Sequence, residues 1–315
     1  MSRVARQLAA PAIVVVLALV PAGCGSSGSS APTTSSHASR TAVFGYDASA
    51  PLRYVDRGRA NRPGYPIAVR DVSFSSGGRK IEGYLVVPPG RGRHPAVVFV
   101  HGSGGDRTEL LVPAAWLAAR HVVTLTITAP SSSARTSAPT PRALLAQARA
   151  VTVADVVAVR RAVDVLASLR SVDPKRIGYV GFSAGARLGA LVAASEPRVR
   201  ALALLSAGAA TVSAYAAAAP PALRPQVRRV LGSVDPIRFI AFARPGSLLL
   251  EDGRKDTIVP RAALLNIARA APKGTPLRWY DAPHGLNRAA YRDAFAWLAR
   301  KLPIEGPPVR GAATA

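Results

Sequence analysis

Ser183 sits between two glycines, in Gly181-Phe182-Ser183-Ala184-Gly185, with an apolar stretch before it and small residues after it. By itself the spacing is weak, because Gly and Ser are common in this chain. The setting is stronger. A strand that turns sharply into a helix needs residues without bulk two positions either side of the turning residue, and it leaves that residue's hydroxyl exposed above the sheet edge. A serine hydroxyl is a poor nucleophile until a base takes its proton. Five histidines could supply one: His37, His94, His101, His121 and His284. His37 lies in a Ser/Thr-rich stretch. His94 and His121 precede or open strands, at the wrong end of a sheet. His284 follows the last strand-like segment, in Asp281-Ala282-Pro283-His284-Gly285, where a loop leaves the carboxyl edge beside Ser183. His284 is therefore the expected base.

An acid must hold the imidazole in one tautomer. The loop Glu251-Asp252-Gly253-Arg254-Lys255-Asp256 offers Asp252 and Asp256, and local residue types leave both open. Charge developing on a substrate oxygen calls for backbone N–H donors. Ala184, directly after the nucleophile at a helix start, is one. The second is expected from Ser103 or Gly104 in His101-Gly102-Ser103-Gly104-Gly105, whose glycines let the backbone approach a ligand. His101 is expected to brace this loop rather than act as a second base. The glycine run has neither the Gly-Lys-Ser/Thr ending of a phosphate loop nor a G-x-G-x-x-G dinucleotide pattern. No cofactor and no metal are implied.

These residues need a scaffold. Residues 67–74 and 80–87 read as a hairpin around Ser75-Ser76-Gly77-Gly78. Continuous apolar runs follow at 96–100, 122–127, 177–181, 201–205 and 247–250, with a short strand at 278–280. Strands buried on both faces look like this in a parallel sheet. Helical stretches lie between them, the clearest at 144–169 and 184–194. The fold class is α/β: a mostly parallel central sheet with helices on both faces, made mixed by the opening hairpin.

The chain has 315 residues, 49% of them hydrophobic, with one cysteine and a formal charge of +24. That apolar content excludes a disordered chain. One cysteine excludes an internal disulfide and any thiolate-rich zinc or iron–sulfur site. The charge suggests nucleic acid at first sight. Yet only Lys80, Lys175, Lys255, Lys273 and Lys301 are lysines, the arginines are scattered, and no basic stripe interleaves with aromatics. No nucleic-acid partner is expected; anionic lipid or a cell-wall polymer is the expected partner of so basic a surface.

Residues 1–23 have Arg3 and Arg6, an apolar run from 8 to 20, and small residues, which is the layout of an export signal. Pro21-Ala22-Gly23-Cys24 resembles a bacterial lipoprotein signal, with Cys24 as the acylated residue and a membrane anchor. It departs from that pattern at Pro21, and plain secretion with cleavage after Ala22 is the competing reading. Residues 24–40 read as anchor cysteine and flexible tether, 41–66 as a surface extension carrying Phe44, Tyr46 and Tyr54, 67–301 as the folded domain with a small insertion at 206–246, and 302–315 as a flexible tail.

The ordered set Ile81-Glu82-Gly83-Tyr84-Leu85, Pro95 through Gly105, Gly181 through Gly185, Asp256 with Val259-Pro260, and His284 resembles the α/β-hydrolases, in particular their dienelactone hydrolase and prolyl-oligopeptidase-like esterase branch. The resemblance spans about residues 67–301. It implies the α/β-hydrolase fold with a sheet of about eight strands, and it selects Asp256 over Asp252, in the chain order Ser183, Asp256, His284. It also implies hydrolysis of a small or medium carboxylic ester through an acyl-serine. Thioester or peptide hydrolysis, and a non-catalytic envelope binding protein, are the alternatives. Two departures are visible. Dienelactone hydrolase uses a cysteine where Ser183 stands, and Thr128-Ala129-Pro130-Ser131-Ser132-Ser133 replaces the usual Asp-x-x-Gly turn.

Overall fold

The computed structural model describes residues 41–304 except 63 and 135–137. The export segment with Cys24, the tether, and the tail from 305 lie outside the described residues.

Nine strands form one sheet: β1 (Val55–Arg59), β2 (Val69–Ser76), β3 (Arg79–Val86), β4 (His94–Val100), β5 (Val123–Ile127), β6 (Val172–Phe182), β7 (Val199–Leu205), β8 (Leu248–Gly253) and β9 (Leu277–Tyr280). Their order is β1-β2-β3-β5-β4-β6-β7-β8-β9. Pairings from β5 through β4 to β9 are parallel, and those of β1, β2 and β3 are antiparallel. The β2–β3 hairpin turns on Gly77 and Gly78, both at positive φ (54° and 76°), which is the backbone a two-residue turn between twisted strands demands.

The central strands are apolar throughout because each face meets a different helical layer. In β4, Ala96, Val98 and Val100 join one core and Val97 and Phe99 the other; in β6, Tyr179 and Val180 divide the same way. The first layer contains α2 (Pro141–Ser168) and α3 (Ala184–Ser195). The second contains α1 (Leu111–Ala118) and α8 (Arg288–Lys301). Thr140 caps α2 through its hydroxyl, which accepts the Ala143 N–H at 3.2 Å, and Pro141 suits the first helical position. Three short helices, α4 (Val212–Ala218), α5 (Arg224–Gly232) and α6 (Pro236–Ile240), occupy the insertion after β7, and α7 (Arg261–Ala270) follows β8.

The fold is the expected α/β-hydrolase architecture, with one strand more than the eight anticipated. The extra strand is β1, whose sequence Val-Asp-Arg-Gly-Arg has no apolar run because it lies at the sheet edge with its single valine exposed. Ion pairs across the edge, Arg57–Asp71 and Arg70–Asp56, hold it in place of apolar burial. Residues 41–66 also reach further in than a surface extension would. Phe44 is 0% exposed and meets Phe239 edge-on, and its carbonyl accepts from Arg160 at 2.7 Å. Tyr46 donates to Asp164 at 3.0 Å, and Asp164 pairs with Arg161 and Arg198. Leu302, one residue past the expected domain end, is 1% exposed and packs beneath Gly178.

Candidate active site

β6 delivers Ser183 at a backbone angle that side-chain-bearing residues rarely adopt, φ 52° and ψ −109°. The strain is held from three sides: Ser183 N–H donates to Leu205 at 2.8 Å, its carbonyl accepts from Arg187 at 2.9 Å, and Gly185 N–H donates to His101 at 3.1 Å. Gly185 has no room for a side chain, because a Cβ there would collide with the carbonyl oxygens of Val100 and His101. Behind the turn, the buried Tyr179 hydroxyl donates to the Gly185 carbonyl at 2.6 Å. That brace was not anticipated from sequence, since Tyr179 looks like any apolar strand residue.

His284, in the loop after β9, places Nε2 2.9 Å from Ser183 Oγ and Nδ1 2.7 Å from Asp256 Oδ2. Its own carbonyl accepts from Ser206 Oγ at 2.7 Å, and its ring lies 5.0 Å from that of Phe182. The imidazole is 15% exposed and the Asp256 carboxyl 1%. Asp256 Oδ1 accepts two backbone N–H bonds, from Ile258 at 2.8 Å and Val259 at 2.9 Å. An ionised carboxylate accepts only, so Nδ1 carries the proton and Nε2 is left to accept from the Ser183 hydroxyl. Partner chemistry thus fixes the tautomer.

Asp252, the competing acid, does not reach the imidazole. It is buried in β8, accepts the Ala207 N–H, and leaves Oδ1 without a partner. Burial, reinforced by the nearby Asp256 charge, pushes its carboxyl up to about 7. Glu251 beside it is pushed up to about 8, again mainly by burial. Asp252 therefore holds its proton more tightly when folded than when unfolded, where its ordinary value is 3.8. Its contribution to stability is full below about pH 4 and is lost as pH rises through about 7. Urea unfolding between pH 5 and 8 is expected to show falling stability in the wild type. Asp252→Asn should remove roughly 2–4 kcal/mol of that fall; an unchanged slope would contradict the buried, protonated reading.

Ala184 opens α3, so its N–H is among the unpaired donors of a helix start. On the facing loop, a Cβ on Gly102 would stand 3.4 Å from the Ser183 Cβ. Its N–H, however, is taken by Glu109 Oε2 at 2.7 Å. The next two amides, of Ser103 and Gly104, make no hydrogen bond among the described residues, and Gly104 adopts φ 73°. Glu109 was missed in the sequence, where it reads as an ordinary exposed acid seven residues beyond Gly102.

His101 is buried and structural. Its Nε2 accepts the Ala129 N–H at 3.0 Å, which leaves Nδ1 to donate to the Gly102 carbonyl at 2.6 Å. Ser132 lies 2.9 Å from the same Nε2 and donates to Gly105 at 2.8 Å, so the 128–133 stretch clamps the glycine loop. His94 and His121 stack on each other at 6.2 Å at the opposite, amino-terminal edge of the sheet. His37 lies outside the described residues.

A model of the alpha/beta hydrolase family matches residues 97–310. No curated protein sequence matches the chain. Among solved structures, the acetyl xylan esterase from Paenibacillus sp. R4 is similar with a TM-score of 0.69 at 19% identity, over 84% of this chain and 93% of that one. Acetyl xylan esterase 1 from Thermoanaerobacterium sp. JW/SL YS485 gives 0.70 at 15%, over the same shares. A puromycin-hydrolyzing peptidase of Mycobacterium tuberculosis gives 0.61 at 21%, over 79% of this chain and 42% of that one. At such identities the likeness is one of fold.

Proposed function

The chain belongs to the alpha/beta hydrolase family, and from that premise we propose that it hydrolyses carboxylic esters through an acyl-serine intermediate on Ser183. The observation that carries the reading is the unbroken row Ser183 Oγ, His284 and Asp256, at 2.9 and 2.7 Å, hung on a strained turn. Ser183 attacks the ester carbonyl as its proton passes to His284 Nε2. The oxyanion that forms is met by the Ala184 amide and by that of Ser103 or Gly104. Collapse breaks the bond to the alcohol oxygen, which leaves with the proton from His284. Water, deprotonated by His284, then attacks the acyl-serine and releases the acid. Asp256 keeps the imidazole in the accepting tautomer and stabilises the imidazolium formed in each half.

Ester rather than amide chemistry is favoured by two structural neighbours that bear esterase names. Small or medium substrates are favoured because the insertion amounts to three short helices, not a lid domain. A panel of short-chain and long-chain p-nitrophenyl esters, a thioester and a peptide p-nitroanilide tests this. Short-chain esters are expected to give the highest kcat/KM, with the anilide lower by about 10³-fold or more. Anilide turnover equal to ester turnover would sink the esterase reading in favour of a peptidase.

A further inference from the structure

The loop that carries Ser103 and Gly104 is rich in glycine and has little stiffness of its own. Its first peptide unit, His101–Gly102, is strung between two partners on opposite sides, because the carbonyl and N–H of a trans peptide point opposite ways. The His101 carbonyl accepts the Gly185 N–H at 3.1 Å, from the first turn of α3 beside the nucleophile. The Gly102 N–H donates to Glu109 Oε2 at 2.7 Å. The next unit, Gly102–Ser103, is held by its carbonyl, which accepts from His101 Nδ1 at 2.6 Å and from the Gly105 N–H at 3.2 Å. The Ser103 N–H is thereby turned away from the His101 ring, and it makes no hydrogen bond among the described residues.

Glu109 has no other polar contact. It stands exposed two residues before α1 and, in a chain with 41 basic residues, makes no ion pair among the described residues. Gly105 leaves the room its carboxylate occupies, since a Cβ there would collide with Glu109 Oε2. Gly105 is not at a positive φ, so its missing side chain answers to neighbouring atoms and not to a backbone need. Gly102 is buried, and a buried amide without an acceptor is costly. Its free torsions would let the loop twist until that amide found another partner. Such a twist would swing the Ser103 and Gly104 amides away from the position where the substrate oxygen gathers charge.

We propose that Glu109 is a positioning residue: by accepting the Gly102 N–H it fixes the register of the oxyanion loop against the Ser183 turn. What it supplies is an acceptor oxygen at the right reach, not a charge. This rests on the esterase reading above and adds a residue to it. Variants of the full chain separate reach from charge. Glu109→Gln keeps the acceptor and loses the charge, and its NH2 can take the place of Oε1, which makes no hydrogen bond among the described residues. Glu109→Asp keeps the charge and falls one methylene short, and Glu109→Ala loses both. With kcat expressed per site titrated by a fluorophosphonate, Glu109→Gln should stay within about 3-fold of wild type, and Glu109→Asp and Glu109→Ala should fall by about 10- to 100-fold at nearly constant KM. Gly105→Ala, which displaces the carboxylate, should lose as much alone, yet cost no more than about 3-fold when added to Glu109→Ala. A loss of fold alone would lower the melting temperature and the number of titrated sites, not kcat per site. Wild-type kcat in Glu109→Asp, or Glu109→Gln as slow as Glu109→Asp, overturns the proposal, whether or not Glu109→Ala folds, while Ser183-dependent hydrolysis leaves the esterase reading standing. If the wild type turns over no ester, that reading fails, and the rate of fluorophosphonate labelling at Ser183 decides the role of Glu109, because the phosphoryl oxygen meets the same donors. The same order of variants is expected there; equal rates in all of them, or an unlabelled wild type, overturn the proposal.

Discussion

Ser183→Ala is expected to lower ester turnover by about 10⁵-fold or more while leaving the fold intact. Among the described residues the hydroxyl makes a single hydrogen bond, to His284 Nε2, so its removal frees only that nitrogen, on a ring still partly open to solvent. Alanine meets the same backbone strain at φ 52° that serine already bears, and the bonds from Leu205 and to Arg187 involve main chain only. The melting temperature should therefore shift by no more than about 2 °C, well within what a surface change produces. What disappears is the hydroxyl proposed to form the covalent intermediate. The residual rate is that of water in a site that still offers oxyanion donors. Turnover that fell by only a few fold, with the protein folded, would remove Ser183 from the mechanism.

Asp256→Asn is expected to cost about 10⁴-fold in kcat, and the structure supplies the reason. Asp256 Oδ1 accepts from the Ile258 and Val259 amides, which can only donate. An asparagine must therefore turn its oxygen toward those amides and its NH2 toward His284 Nδ1. That forces the proton onto Nε2, where it faces the Ser183 hydroxyl and cannot receive a proton from it. Stopped ester assays on Asp256→Asn beside Asp252→Asn separate the two acids. The first should abolish nearly all turnover at every pH. The second should leave a measurable rate, because among the described residues Asp252 makes no bond to the imidazole. Equal losses in both variants would contradict the assignment.

Much of the site was legible in the residues. Ser183, His284 and Ala184 follow from local patterns: a strand running into a small-residue helix, and a Pro-His-Gly loop leaving the last strand. Ser103 and Gly104 were expected as a pair, and their amides make no hydrogen bond among the described residues, whereas that of Gly102 is taken by Glu109. Asp256 was separated from Asp252 partly through the family resemblance. The difference between them is made by the turn after β8, which projects one carboxyl at the imidazole and leaves the other beneath Ala207. Residue type carries no trace of that.

The unanticipated parts share a physical cause: they depend on contacts distant in sequence. β1 is polar because ion pairs to β2 hold it, so no periodicity announces it. Phe44 is a lone aromatic in a polar stretch, and its burial depends on Phe239 and Arg160, nearly two hundred and over one hundred residues away. The arginine excess resolves in part into such links, with Arg160, Arg161 and Arg198 tying the N-terminal segment to α2 and Glu196.

The central claim is that Ser183 is an activated nucleophile, and a fluorophosphonate probe tests it without any assumption about substrate. Intact-mass and peptide mass spectrometry of the folded protein should show one adduct, on Ser183, with none on Ser183→Ala and strongly slowed labelling on His284→Ala. Folded wild-type protein that stays unlabelled, or an adduct on another residue, would contradict the account.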